Sequence, residues 1–242
     1  MNDIPKLSSI ISLIASNGEN QLKWGLPEPW LHAEVFSELS KQAPDTGWQP
    51  FDAELPYLTY FPVSLPKPEN RNWKEDGAFK YVDLYLRSED SQRWCWIEFK
   101  VRHPDEPNRE LKGAKSALDA MAKDFVGLAG MNIERTASNW VDPDGSIDSY
   151  WLRNILSPQA ENLRVGAHCF VSVFLQLRTS LHPKFFSVNA IRERIQSWHK
   201  NRCKQSLCAW GVPTYDIELK ERVAGEHSLV ICRSNWVKAN ER

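Results

Sequence analysis

The apolar residues Leu7, Ile10, Ile11 and Ile14 fall at i, i+3, i+4 and i+7, the spacing of one helix face that docks on a core. A second helical pattern runs over 27–41. Pro27 and Pro29 suit a first turn, and Trp30, Ala33, Val35, Phe36 and Leu39 supply apolar surface. The run 55–65 reads as a strand near a sheet edge, because Pro56 and Pro62 have no amide to give to a ladder. A polar turn over 66–77 follows. The stretch 79–102 then alternates as two strands joined by a charged turn at Glu89, Asp90 and Ser91.

Over 106–131 the period changes to that of a long helix. Leu111, Ala114, Leu118, Met121, Ala122 and Phe125 form the stripe, and Lys112, Lys115, Asp119 and Lys123 lie off it. The pattern weakens over 132–162, which is expected to be an excursion from the core, an insertion or a lid. The run 165–177 is continuously apolar, β-branched and aromatic, as in a strand covered on both faces. A basic helix over 187–204 and strands over 215–223 and 228–232 complete the chain. Helix, strands, helix, strand, helix, strands predicts an α/β fold, a three-layer α/β/α sandwich with a central mixed β-sheet. One domain is expected over 1–242, with 1–26 as an N-terminal helical extension.

Composition changes this picture little. A chain of 242 residues can bury a core without staples, and a net charge of −1 leaves nucleic-acid attraction to local patches. Five cysteines, an odd number, argue against a secreted disulfide framework and fit a reducing cytoplasm. Cys95, Cys169 and Cys232 lie in apolar runs as small hydrophobes. Cys203 and Cys208 have no second pair at metal-ligand spacing. The N-terminal apolar cluster is too short to span a membrane, so no membrane partner is expected.

The hairpin carries the chemistry. On its second strand Trp94, Trp96, Glu98 and Lys100 share a face; on its first, Tyr81, Asp83 and Tyr85 do. A turn at 89–91 sets Asp83 against Glu98 directly or diagonally, and a slip of one residue separates them. Two desolvated carboxylates side by side repel unless a cation lies between them. Lys100 is one candidate, and a divalent ion that keeps waters for chemistry is the better one. Lys100 can then orient or deprotonate a metal-bound water, or neutralise a phosphate. The competing reading is a solvated hairpin face with cross-strand ion pairs, against which the tryptophans and tyrosines on that face weigh. Glu-x-Lys recurs at Glu110–Lys112 and Glu218–Lys220, but only Glu98-Phe99-Lys100 has an aspartate on an adjoining strand.

In Asp83 followed by Glu98-Phe99-Lys100 on the next strand, and then a helix, the chain resembles the PD-(D/E)xK nuclease superfamily, the restriction-endonuclease-like fold, over 27–177. Valine stands at 82 where the motif has proline. The resemblance implies Mg²⁺- or Mn²⁺-dependent hydrolysis of phosphodiesters in DNA, with RNA not excluded, in restriction, repair, recombination or defence. It implies Asp83 and Glu98 as metal ligands, the Phe99 carbonyl as a further one, and Lys100 acting on the attacking water. Branches of the superfamily add a glutamate from the preceding helix; Glu34 is similar in placement, with Glu38 as substitute. Candidate phosphate contacts are Lys112 and Lys115 after the motif, and Arg192, Arg194 and Lys200 on the basic helix. A homodimer is one way for one site per chain to cut both strands. The alternative is a catalytically inactive nucleic-acid-binding or assembly module that retains the fold.

Overall fold

The computed structural model describes residues 4–17, 27–59, 79–102, 110–141, 157–176, 186–205, 211–223 and 227–238. Helices α1 (Leu7–Asn17) and α2 (Pro27–Thr46) lead into β1 (Trp48–Leu58), β2 (Phe79–Ser88) and β3 (Arg93–Arg102). Next come α3 (Glu110–Ala129), α4 (Ile133–Val141), α5 (Ala160–Val165) and β4 (Ala167–Gln176). Helix α6 (Val188–Gln205), β5 (Tyr215–Val223), β6 (His227–Ser234) and the short β7 (Val237–Lys238) finish the order.

Among the described residues the strands form one mixed sheet, in the order β1-β2-β3-β4-β6-β5, with β7 on β4. Among the described strands only β3 and β4 pair in parallel, which demands the long crossover through α3, α4 and α5. Side-chain alternation gives each face its own core. One face buries Leu84, Leu86, Cys95, Ile97 and Phe99 against Ile10, Ile11 and Ile14 of α1 and Leu31, Val35 and Leu39 of α2. The other buries Tyr85, Trp94 and Trp96 against α4 and α5, and Phe174, Val230 and Cys232 against α3 and α6. The molecule is thus an α/β sandwich, with β3 and β4 shielded on both sides.

Three elements differ from the sequence reading. Strand β1 begins at Trp48, earlier than the proline-bounded run suggested; residues 60–78 lie outside the described part. The expected excursion does not leave the core over 133–141: Ile133, Thr136, Ala137 and Trp140, at helical spacing, are buried under the sheet. The Asn132 amide donates to the Leu58 carbonyl at 2.7 Å, and the Thr136 hydroxyl accepts from the Leu58 amide at 3.0 Å, tying α4 to the end of β1. Residues 142–156 lie outside the described part. Thirdly, Val82 packs with Tyr85 instead of with Leu84 and Leu86. Opposite this switch β1 carries a bulge, its register passing from Asp52↔Leu84 to Leu55↔Val82, and the extra residue adds local twist.

Candidate active site

The hairpin turn fixes the geometry of the site. The Ser91 amide donates to the Ser88 carbonyl at 2.8 Å, Ser91 takes a left-handed φ of 56°, and the Ser88 hydroxyl donates to the Asp90 carboxylate. That turn sets the register Arg87↔Trp94 through Leu84↔Ile97. Continued by one residue, the register puts Asp83 opposite Glu98, yet the ladder stops at Leu84. Beyond that point β2 and β3 part, and the backbone of β3 on that side has lost its partner strand.

Carboxylates take the place of the missing strand. Asp83 Oδ2 accepts the Phe99 amide at 2.7 Å, and Glu28 Oε2, from the first turn of α2, accepts the Val101 amide at 3.0 Å. In a strand a residue's N–H and C=O leave on the same side, so the Phe99 carbonyl also faces the gap. Lys100 Nζ lies 3.4 Å from that carbonyl, 3.4 Å from Glu28 Oε1 and 3.8 Å from Asp124 Oδ2 on α3. Glu98 Oε1 accepts the hydroxyl of fully buried Tyr57, on β1, at 3.4 Å. His32, one turn after Glu28, packs its ring 5.8 Å from that of Phe99 and adds a favourable field at Asp83.

Glu28, Asp83, Glu98 and Asp124 therefore face Lys80 and Lys100, an excess of negative charge in a half-buried gap. Burial, then the repulsion of Asp83 and Asp124, holds the Glu98 carboxyl well above its ordinary range, against the pull of Lys80 and Lys100. Burial also raises Asp83, against the Phe99 amide and Lys100. Asp124 is raised by burial, with Lys80 and Lys100 opposing. For Lys100, burial alone would lower the ammonium, but Glu28, Asp124 and Asp83 together keep it raised. The amine is accordingly a standing cation and a poor base.

Among the described residues no group of three or more His, Cys, Asp or Glu side chains is placed so that it could hold a metal ion. Mg²⁺ does not need one, since it binds through one or two carboxylates and retains its waters. The donors available to such an ion are two carboxylates raised by burial and a carbonyl turned to the gap. Asp83, Glu98 and Phe99 are the groups that would hold the ion.

The other sequence candidates fall elsewhere. Glu34 is exposed on α2. Six residues after Glu28, at 100° each, it lies well around the helix from the face that meets β3. Glu28 occupies the place expected of Glu34. Glu38 bonds Gln42 and Lys41 of its own helix instead. Arg192 and Lys200 are exposed on α6, as a phosphate contact requires, whereas the Arg194 guanidinium is bound to Asp119 of α3 at 3.2 Å and joins two helices. The side chains of Lys112 and Lys115 lie outside the described part. Cys95, Cys169 and Cys232 are buried free thiols, as expected, and Cys203 is free and half-buried. No described helix is long and apolar enough to cross a membrane. No family model, no curated protein and no solved structure matches the chain.

Proposed function

We propose that the chain is a metal-dependent nuclease that hydrolyses phosphodiester bonds in DNA, using Mg²⁺ or Mn²⁺, with a site of the PD-(D/E)xK type. One observation carries the reading. Where β2 and β3 separate, Asp83, the Phe99 carbonyl and the Lys100 ammonium meet at one gap, a helix carboxylate, Glu28, joins them, and Glu98 lies within the field of Asp83 and Lys100. A bound divalent ion supplies charge neutralisation and an acidified water. Asp83 and Glu98 would hold that ion, and the Asp83–Phe99 bond keeps the Phe99 carbonyl turned toward the gap. Lys100, protonated and held by Glu28 and Asp124, stabilises negative charge that develops on a phosphoryl oxygen or positions the attacking water. Arg192 and Lys200 on α6 supply exposed cations for the phosphate backbone.

Plasmid DNA, single-stranded DNA and RNA, each incubated with Mg²⁺, Mn²⁺ or EDTA, test the reading against Asp83→Asn and Lys100→Met. Cleavage is expected with either ion, lost in EDTA and lost in both variants. Salt-sensitive DNA retention without cleavage or metal uptake is the outcome of a retired, binding-only module. Equal cleavage by the wild type and both variants removes the site from the reaction.

A further inference from the structure

The buried thiols of the sheet are of two kinds. Cys232 is a small apolar filler: it lies on β6 between Ser172 of β4 and Ile217 of β5, and burial pushes its thiol up to about 12. Cys95 of β3 and Cys169 of β4 differ, because the parallel ladder sets them side by side. Both pack on the α1–α2 side of the sheet, both are buried, and both are free. Register partners on neighbouring strands lie about 4.8 Å apart, within the roughly 4.4–6.8 Å that a disulfide spans between Cα atoms. Burial alone would leave such a pair inert. A cavity of about 130 Å³ changes that for one of the two sulfurs. Its walls are Cys169, Ile4, Ser234 and the exposed Arg233, Asn235 and Trp236, so it leads from the surface to Cys169 and not to Cys95. At that wall the Cys169 thiol donates to the Ser234 carbonyl at 3.2 Å. Cys95, as a donor to it, holds the Cys169 thiol below its ordinary value against burial, and the Arg233 charge adds to the effect. Burial raises Cys95.

We propose that Cys95 and Cys169 form a reversible oxidation site for a small hydroperoxide, in which Cys169, reached through the cavity, reacts first and Cys95 resolves it. The Cys169 sulfur attacks one peroxide oxygen and the O–O bond breaks. The leaving hydroxide takes the thiol proton as water, and a sulfenic acid remains on Cys169. The Cys95 sulfur then attacks that of Cys169: an S–S bond forms, the S–O bond breaks, and a second water leaves with the Cys95 proton. Two thiols are oxidised to one disulfide, and one peroxide is reduced to two waters. Adjacent strands hold the bridge near the short end of its span, and strained bridges are the readily reduced ones, so an external dithiol returns the pair. Cys95 lies on the opposite side of β3 from Trp96 and Glu98, and the proposal stands independently of the nuclease reading.

The native full chain, treated with hydrogen peroxide, blocked at its remaining thiols in denaturant and digested without reduction, tests this by mass spectrometry. Cys95 and Cys169 are expected to be lost together, in one cross-linked peptide pair lighter by two hydrogen atoms than the free peptides and restored by dithiothreitol. Cys95→Ala is expected to stop at a sulfenic acid on Cys169 that dimedone traps, whereas Cys169→Ala is expected to leave Cys95 reduced. The wild-type map decides the matter where either variant fails to give a native circular dichroism spectrum. Cys203, half-buried on α6 with its sulfur 3.1 Å from His199 Nε2, is the described thiol that exposure alone would select. Peroxide treatment that leaves Cys95 and Cys169 free, wherever else oxidation falls, overturns the proposal. So does a Cys95–Cys169 bridge that forms only when peroxide is added in denaturant.

Discussion

The two ends of one hairpin obey opposite rules. At the turn end, Tyr85, Trp94 and Trp96 stack with ring centroids 5.5 to 5.8 Å apart, capped by Phe51 at 4.8 Å from Tyr85 and by Trp140. Trp96 Nε1 there donates to His168 Nδ1 at 3.1 Å, and His168 Nε2 pairs with the Leu163 carbonyl at 2.9 Å, while Trp94 Nε1 is buried without a partner. Two residues on from Trp96, on the same side of β3, Glu98 is half-buried among carboxylates. The ladder is closed at the first end and open at the second. One end converts burial into stability, since each large aromatic contributes several kcal/mol of gross hydrophobic free energy, about 5 for roughly 200 Å². The other end gives up stability to hold charges that repel.

Removing the aromatic end has the largest effect on folding. Trp96→Ala is expected to cost about 3–5 kcal/mol in chemical denaturation, through the cavity left and through a His168 nitrogen deprived of its donor. A cost below about 1 kcal/mol breaks the comparison. Asp83→Asn is expected to do the reverse, because the amide oxygen still accepts the Phe99 N–H. The melting temperature stays within a few degrees of wild type, while cleavage falls at least about a hundredfold, roughly 3 kcal/mol of lost electrostatic stabilisation. Smaller again, Glu28→Gln keeps the bond to the Val101 amide but loosens Lys100, and cleavage drops by about tenfold. Glu34→Gln changes it by less than about twofold. Equal losses in the two glutamate variants would contradict the placement of the helix carboxylate.

Much of this comparison was legible in the sequence. Alternation placed Trp94, Trp96, Glu98 and Lys100 on one face, and the charged turn set a register that ends at Leu84↔Ile97, one pair short of Asp83 and Glu98. What alternation could not show is that β2 switches phase at Val82, opposite a bulge on a different strand. The α2 carboxylate was legible in kind and not in position: Leu31, Val35 and Leu39 define the buried stripe, but only the docked helix shows that its first turn, with Glu28, overhangs the end of β3. Asp124 and Lys80 were passed over for a related reason. Each reads locally as a polar residue on a helix or a strand, and only the docking of α3 sets Asp124 beside Lys100 and Gly127 against Lys80. The burial of α4 was within reach, since Ile133, Thr136, Ala137 and Trp140 keep helical spacing. The polar residues between them hid it.

The smallest effect is the most discriminating, because it separates a carboxylate kept for binding from one kept for folding. Burial and like charge raise Glu98 above its ordinary range in the folded chain, so the native state binds the proton more tightly than the unfolded state does. Stability from this group is complete at pH values below the ordinary glutamate range, and is lost as pH rises through the raised folded value. Asp83 and Asp124, raised in the same direction, add to the trend. In the absence of metal the melting temperature is therefore expected to fall as pH climbs from the glutamate range toward neutrality. Glu98→Gln, uncharged throughout, is expected to flatten that slope and to be more stable than wild type at neutral pH. Mg²⁺ is expected to stabilise the wild type more at high pH than at low, where protons compete for the same oxygens, and to do nothing for Glu98→Gln. A salt bridge kept for stability behaves in the opposite way: its carboxyl is lowered, its contribution grows with pH, and its removal costs. If thermal melts of metal-free protein show Glu98→Gln less stable than wild type at neutral pH, Glu98 belongs with the aromatic end of the hairpin, as part of what holds the fold together.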